Sequence, residues 1–273
     1  MPFQTTLRLL LVDHKPPNLT AIMDTTIKND WYTDFFSGLN CEMWEKAVSP
    51  EWTEREVDFL LTTLTVQPGA SVLDIQCGNG RHLIELAKRG FRPTGFDISA
   101  EFLTMLKERA EAEQLSVQVI QGDILTTRIE SSFDGAYCLG NGFGYVDYEG
   151  MNAFVKNVAD ALKPTARFVV HSGLVAESIL PNFPKTGQYE LGDLLMDISN
   201  SYVIDGGYMA TELTYTKAGR SEKHYFKHYV YTLAEIKRLL ARYGLQTIAV
   251  YNSTEKGAYQ LGDQQIYLVA EKQ

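Results

Sequence analysis

The segment "VLDIQCGNGRHLIELAKRG", Val72 to Gly90, is where residue types and spacing most clearly promise chemistry. An apolar run ends in the acid Asp74, a turn of small residues follows, and an amphipathic run begins at Arg81. Gly78 and Gly80 lack Cβ atoms, so backbone there can approach a ligand closely. The free N–H groups opening the next helix attract a carboxylate or phosphate. A dinucleotide turn needs G-x-G-x-x-G/A, but the third position is Leu83, and no G-x-x-x-x-G-K-[ST] occurs. Nicotinamide cofactors are weakened by that spacing and nucleoside triphosphates are disfavoured. Elsewhere, His171 closes the apolar run from Arg167, and an unperturbed pKa of ~6.5 suits it to general-base work. Tyr145 follows the loop "LGNGFG" and is a candidate for orienting an acceptor. His224 and His228, four apart in a strand-like run, share a face but lack a carboxylate at ligand spacing, so no metal site is expected.

These residues need a frame. From Ser71, short apolar runs at 72–75, 93–97, 117–121, 135–139 and 167–171 alternate with amphipathic runs at 81–89, 100–114 and 151–162. That βαβ rhythm predicts a doubly wound, mostly parallel sheet, whose ligands gather at the carboxyl ends of the strands. Ahead of it, Thr53 with Glu56 reads as a capping box for a helix carrying Val57, Leu60, Leu61 and Leu64. From Leu194 to Tyr231 the period changes to two, broken at Asp205-Gly206-Gly207 and Ala218-Gly219, which predicts a three-stranded antiparallel insert. Thr232 and Glu235 form a second capping box for a helix stopped by Gly244, and two closing strands, 247–251 and 266–270, pair antiparallel.

Composition narrows the partners. Against 25 Lys and Arg stand 34 Asp and Glu, a net charge of −9, the wrong sign for neutralising a polyphosphate backbone. Cys41, Cys77 and Cys138 lie far apart with no C-x-x-C pair, which fits a reducing cytoplasm better than a disulfide framework or a zinc site. No apolar run approaches the ~18 residues of a membrane span. The expected partner is a small molecule, with no nucleic acid and no membrane, acting on a monomer or homodimer.

The strand-turn-helix of D-x-x-C-G-x-G resembles motif I of the class I S-adenosylmethionine-dependent methyltransferases. "GFDIS" at 95–99 resembles their second-strand acid, "QGDI" at 121–124 the loop that holds adenine, and "FDGAYCLGNGFGY" at 133–145 their fourth strand and catalytic loop, all in the family's order. The resemblance implies a seven-stranded, mostly parallel class I methyltransferase fold with S-adenosyl-L-methionine as cofactor. It implies that Asp97 accepts from both ribose hydroxyls, and that Asp123 and the Ile124 N–H hold adenine under Ile98. Gly78, Gly80 and the helix opening at Arg81 would receive the methionine carboxylate, and Asp74 would orient the amino end. The methyl group would then face Leu139, Gly140 and Asn141. The family usually has glycine where this chain has Gln76, which implies a wider turn or an outward side chain. Tyr32, Phe36 and Trp44, in the aromatic entry "WYTDFFSGLNCEMW", resemble lid contacts.

Amino-methylating DNA enzymes carry [DNS]-P-P-[YF] where this chain reads "LGNGFG", and no Pro-Cys pair occurs, which favours small acceptors such as amines, sugars, phenols or lipid-derived metabolites. The expected organisation is a poorly ordered tail over 1–30, with Met23 as an alternative start. A cofactor-binding core with a helical lid follows over 31–180, then an antiparallel insert over 181–232, acting as substrate lid or dimer contact, and a completing helix and hairpin over 233–273. An NAD-dependent oxidoreductase and a non-catalytic cofactor-binding module are the alternatives.

Overall fold

The computed structural model describes Arg8–Leu9 and residues 27–273. The rest of the expected N-terminal tail, including Met23, lies outside the described residues. Arg8–Leu9 form a short strand, β1, and Ile27 is already buried.

The βαβ rhythm builds five parallel strands: β2 (Ser71–Ile75), β3 (Arg92–Asp97), β4 (Gln118–Gln121), β5 (Phe133–Cys138) and β6 (Leu162–Ser172). With the antiparallel β11 (Leu245–Tyr251) and β12 (Ile266–Lys272) they form one seven-stranded sheet in the order β11-β12-β6-β5-β2-β3-β4. Side chains alternate across it. Val72, Tyr137 and Val169 pack on one face against Val57 and Leu60 of α3 (Pro50–Leu64) and Leu86 of α4 (Arg81–Lys88). Leu73, Ala136 and Val170 face the other way, toward Phe154 and Val158 of α6 (Tyr148–Ala161) and Leu239 of α8 (Leu233–Arg242). Strands that run on both sides of β2 leave a crevice above its carboxyl end, where ligands of open α/β sheets bind.

One of the two expected helix caps changes. Helix α3 does not start at a Thr53–Glu56 capping box. Ser49 caps it by accepting from the Trp52 N–H at 3.3 Å, and Pro50 occupies the first turn, where its missing N–H costs nothing. Thr53 and Glu56 fall within the helix on its buried face. The second capping box is present: Glu235 N–H donates to Thr232 Oγ1 at 3.2 Å and Thr232 N–H to Glu235 Oε2 at 2.8 Å.

The insert holds the three expected strands, β8 (Leu194–Val203), β9 (Tyr208–Lys217) and β10 (Arg220–Tyr229). Ala218 and Gly219 both take positive φ, the tight hairpin geometry that matches strand twist. The sheet is wider than three strands, because β7 (Thr186–Leu191) pairs with β8 across Gly192 and β1 pairs with β7. The polar run "TGQYEL" of β7 lacks the alternation that marks the other strands. One face of this sheet packs Met196, Leu213 and Phe226 on the N-terminal helices α1 (Tyr32–Phe35) and α2 (Leu39–Ala47), making a second core.

Ser99 joins this N-terminal layer to the main sheet. Its hydroxyl accepts from the Phe102 N–H at 3.3 Å, capping α5 (Ala100–Ala112), and donates to the Phe36 carbonyl at 3.1 Å. Replacing Ser99 with Ala is expected to lower stability by about 1 kcal/mol, the ordinary worth of an N-cap, in urea unfolding.

Candidate active site

Above β2, the turn 76–80 is shaped by three positive-φ residues, Gln76, Gly78 and Gly80. Gln76, where the family has glycine, takes φ 58 without pointing outward: its Oε1 accepts from Cys138 Sγ at 3.3 Å and lies where a Cβ on Gly142 would intrude. The turn is hooked to the neighbouring strand by Asp97. That carboxylate is 6% exposed, accepting from Gly78 N–H at 2.8 Å through Oδ2 and from Ser99 N–H at 2.9 Å through Oδ1. Burial raises its pKa, and the backbone donors recover only part of the shift.

Asp74 is 2% exposed, and among the described residues its Oδ2 accepts no hydrogen bond. Burial drives its carboxyl well above the usual range, with the nearby Tyr137 hydroxyl and Arg81 pulling the other way. Asp123 Oδ1 accepts from Leu125 N–H at 2.9 Å, and its Oδ2 accepts from the Tyr32 hydroxyl at 3.3 Å, a contact between α1 and the loop after β4.

Asp74, Gly78, Arg81, Asp97, Ile98, Asp123, Ile124, Leu139, Gly140 and Tyr145 all line one cavity, together with Tyr32, Phe36 and Trp44 of the N-terminal segment. Gly80 and His171 stand outside the lining. Gly80 is the backbone hinge into α4, with φ 71 and Leu106 at 2.2 Å from the place a Cβ would take. The Arg81 side chain is committed elsewhere: its guanidinium meets Glu56 Oε2 at 2.5 Å and donates to Thr53 Oγ1 at 3.1 Å.

Glu56, read from spacing as a capping residue, is thus the centre of a buried polar cluster. His82 Nε2 lies 3.0 Å from its Oε2. Burial pushes the Glu56 carboxyl up, but the Arg81 guanidinium and His82 overcome this and hold it far below the usual range. Burial and Arg81 bring His82 down to about 4, so the ring is neutral near pH 7. An acid inside the apolar stripe Val57, Leu60, Leu64 is the sequence signal that marks it.

His171 is buried with both nitrogens engaged. Nδ1 accepts from the Gly140 N–H at 3.2 Å, which places the proton on Nε2, facing Gln265 Oε1 at 3.0 Å. This arrangement spares no nitrogen for an acceptor's proton; it holds the Gly140 loop. His228 grips the same loop from the insert, with Nε2 3.1 Å from the Asn141 carbonyl and Nδ1 3.1 Å from the Tyr229 carbonyl; burial lowers it to about 4. His224 instead faces Glu222, at 3.6 Å. Tyr145 stands edge-on to Trp31 at 5.0 Å, at the junction with a second, smaller cavity beneath the insert.

An unfolded histidine binds its proton below ~6.5 whereas His82 resists it down to about 4, so its contribution to stability falls as pH drops through that window. Between pH 7 and pH 5 the stability of His82→Asn relative to the wild type is expected to shift in the variant's favour by about 2 kcal/mol, read from urea midpoints at the two pH values.

The family model described as a methyltransferase domain matches residues 72–165, the segment that builds the turn, Asp97, Asp123 and the Gly140 loop. A Geobacillus sp. (strain WCH70) protein named as a methyltransferase is 29% identical over 104 residues, 38% of each chain. The glycine/sarcosine N-methyltransferase of Aphanothece halophytica is 27% identical over 250 residues, covering 85% of this chain and 87% of that one. The solved S-adenosylmethionine-dependent methyltransferase from Clostridium acetobutylicum superposes with a TM-score of 0.74 at 14% identity, covering 86% of this chain and 96% of that one, which reports the fold. Motifs, sheet order and relatives converge: residues 72–165 form a methyltransferase domain, and the chain has the class I fold of S-adenosylmethionine-dependent methyltransferases.

Proposed function

We propose that this protein transfers the methyl group of S-adenosylmethionine to an amine nitrogen of a small molecule held beneath the insert. The observation that carries the reading is the junction at Gly140 and Tyr145. There the larger cavity meets a second one whose described lining contains no Asp, Glu, His, Lys or Arg. A hydroxyl acceptor must lose its proton as it attacks, and no side chain there has a free basic atom. A neutral amine brings its own lone pair.

The residues of the larger cavity fit the cofactor. A carboxylate offers about four lone-pair sites, and Asp97 has used two on backbone N–H groups, so two hydroxyls can still bind it. The orphaned Asp74 Oδ2 suits an ammonium group, which would relieve an otherwise costly buried acceptor. Asp123 and Ile124 are placed for an adenine edge, with Ile98 and Leu139 in the same lining. When bound, the sulfonium supplies an electrophilic methyl group. The chain's own share is alignment and exclusion of water: the clamped 139–145 loop fixes the junction, and Tyr32, Phe36 and Trp44 cover the cavity.

Residues 31–180 act in this reading as the cofactor-binding core and lid, 181–232 as the acceptor wall, and 233–273 as the completing edge. Three buried, unpaired cysteines and a net charge of −9 support a cytoplasmic setting and an acceptor other than nucleic acid. Among the described residues no helix is long and apolar enough to cross a membrane.

Asp97→Ala is expected to weaken S-adenosylmethionine at least about hundredfold in calorimetry, the loss of two charge-assisted bonds at about 1.5 to 3 kcal/mol each. Unchanged affinity removes the reading. A non-catalytic module would bind the cofactor yet transfer no methyl group to any amine by mass shift. Because burial raises the Asp74 pKa and a bound ammonium would lower it, cofactor binding is expected to release protons and to tighten as pH rises. Calorimetry in buffers of different ionisation enthalpy reads both effects, and Asp74→Asn should abolish them.

A further inference from the structure

The cavity beneath the insert is walled chiefly by rings and aliphatic side chains. Trp31 stands edge-on to Phe35 and to Tyr145, each at 5.0 Å between centroids, and Phe226 closes on Trp31 at 5.6 Å and on Phe35 at 5.4 Å. Edge-to-face pairs are the arrangement aromatic rings prefer. Met196 and Leu213 of the insert continue the wall, and no charged side chain among the described residues lines it. The two asparagines of the lining are engaged within the protein: the Asn40 amide nitrogen donates to the Tyr215 hydroxyl at 2.9 Å, and Asn141 Oδ1 accepts from the Gly173 N–H at 2.7 Å.

The cations on the elements around this cavity are committed elsewhere. Lys46 of α2 and Lys217 of β9 both meet Glu42 and Asp193. On β10, Arg220 meets Glu222 and Lys223 meets Glu212, while His224, on the same side of the strand as Phe226, lies 3.6 Å from Glu222. Lys227 points to the opposite side, with its ammonium 5.3 Å from the centre of the Tyr208 ring. Arg81, in the lining of the larger cavity, is held by Glu56. An anionic group on a ligand would therefore meet no free cation here, and the desolvation of an unpaired charge is prohibitive. Apolar surface gains by burial against the same wall.

We infer that the acceptor carries its amine on an apolar, ring-bearing body and has no carboxylate, phosphate or other anionic group. This rests on the amine-directed reading above and sets the acceptor apart from glycine and sarcosine, the compounds in the name of the Aphanothece halophytica relative. The wall also bears on the state of the amine. An ammonium would lose its hydration against a lining that holds no carboxylate, so the amine enters neutral and leaves its proton in solvent. Its nitrogen then forms a bond to the methyl carbon as the carbon–sulfur bond breaks and that electron pair stays on sulfur. The positive charge passes from sulfonium to the methylated ammonium, which is the form that leaves.

Three amines test this by calorimetry on the full chain saturated with S-adenosylhomocysteine: phenethylamine; phenylalanine, which adds a carboxylate to it; and ethanolamine, which replaces its ring with a hydroxyl. Phenethylamine is expected to bind at least about tenfold more tightly than either of the others, through burial of its ring and the absence of an unpaired charge. Met196→Lys, which sets a cation of similar length in the wall, should weaken phenethylamine about tenfold, bring phenylalanine level with it or tighter, and leave S-adenosylhomocysteine within about twofold. Phenylalanine or ethanolamine binding the wild type as tightly as phenethylamine overturns the inference while leaving cofactor binding standing. So does the absence of binding by any of the three, or a folded Met196→Lys that binds phenylalanine no better than the wild type. Should Met196→Lys fail to fold, the three wild-type affinities decide alone. Failure to bind S-adenosylhomocysteine at all would instead overturn the methyl-transfer reading, and the inference with it.

Discussion

The Asp97 carboxylate is the constraint on which the rest of the site depends. It joins the glycine turn after β2 to the start of α5 by accepting from both Gly78 and Ser99, and it does so almost wholly out of water. Without it the Gly78 N–H would lose its partner, leaving the Cys77 N–H bond to the Phe96 carbonyl, at 3.1 Å, to hold the turn to the neighbouring strand. Ser99 passes the constraint outward to Phe36, so the floor of the large cavity and its aromatic cover share one anchor. A residue suited to holding a ligand is therefore also the residue that shapes the ligand's seat.

A second constraint acts on the opposite wall. The 139–145 loop contains positive-φ residues at Gly140, Asn141 and Gly144, conformations that need outside support at a non-glycine position. His171 of β6 and Gly173 just past its end hold it from one side, the latter donating to Asn141 Oδ1 at 2.7 Å, and His228 with Tyr229 hold it from β10. Two sheets with separate cores thus meet on one loop, and the wall beneath the insert is registered to the floor of the large cavity through it. The buried Glu56 cluster does the same work behind the turn, fixing Arg81 and His82.

What could be read from the sequence was what is local. The turn from Asp74 to Gly80 is one contiguous segment, and Asp97 and Asp123 fall at strand ends that hydrophobic runs locate directly. The β8–β10 meander was legible because its period and its Ala218-Gly219 turn agree. Glu56 was misread because the spacing T-x-x-E serves a capping box and a buried helix face equally well, and only the position of Ser49 and Pro50 decides. The cavity beneath the insert was not legible at all, since Asn40 and Tyr215 in its lining stand 175 residues apart and neither carries a motif. His171 was correctly placed at a strand end, but its partners, Gly140 and Gln265, come from distant segments that periodicity does not connect.

The pinning of the 139–145 loop to the insert decides where traffic can pass. The Tyr229 N–H donates to the Gly144 carbonyl at 2.8 Å, and the His228 ring lies 2.5 Å from where a side chain on Gly144 would begin, so the insert cannot swing away without breaking backbone bonds and a close-packed joint. The N-terminal helices meet the cavity rim through side-chain contacts instead, a 3.3 Å bond from Tyr32 to Asp123 and one of the same length from the Gly38 N–H to Glu101. The N-terminal helices also share a buried core with the insert, so the two stand as one frame over the cavity, riveted to the main sheet at Gly144.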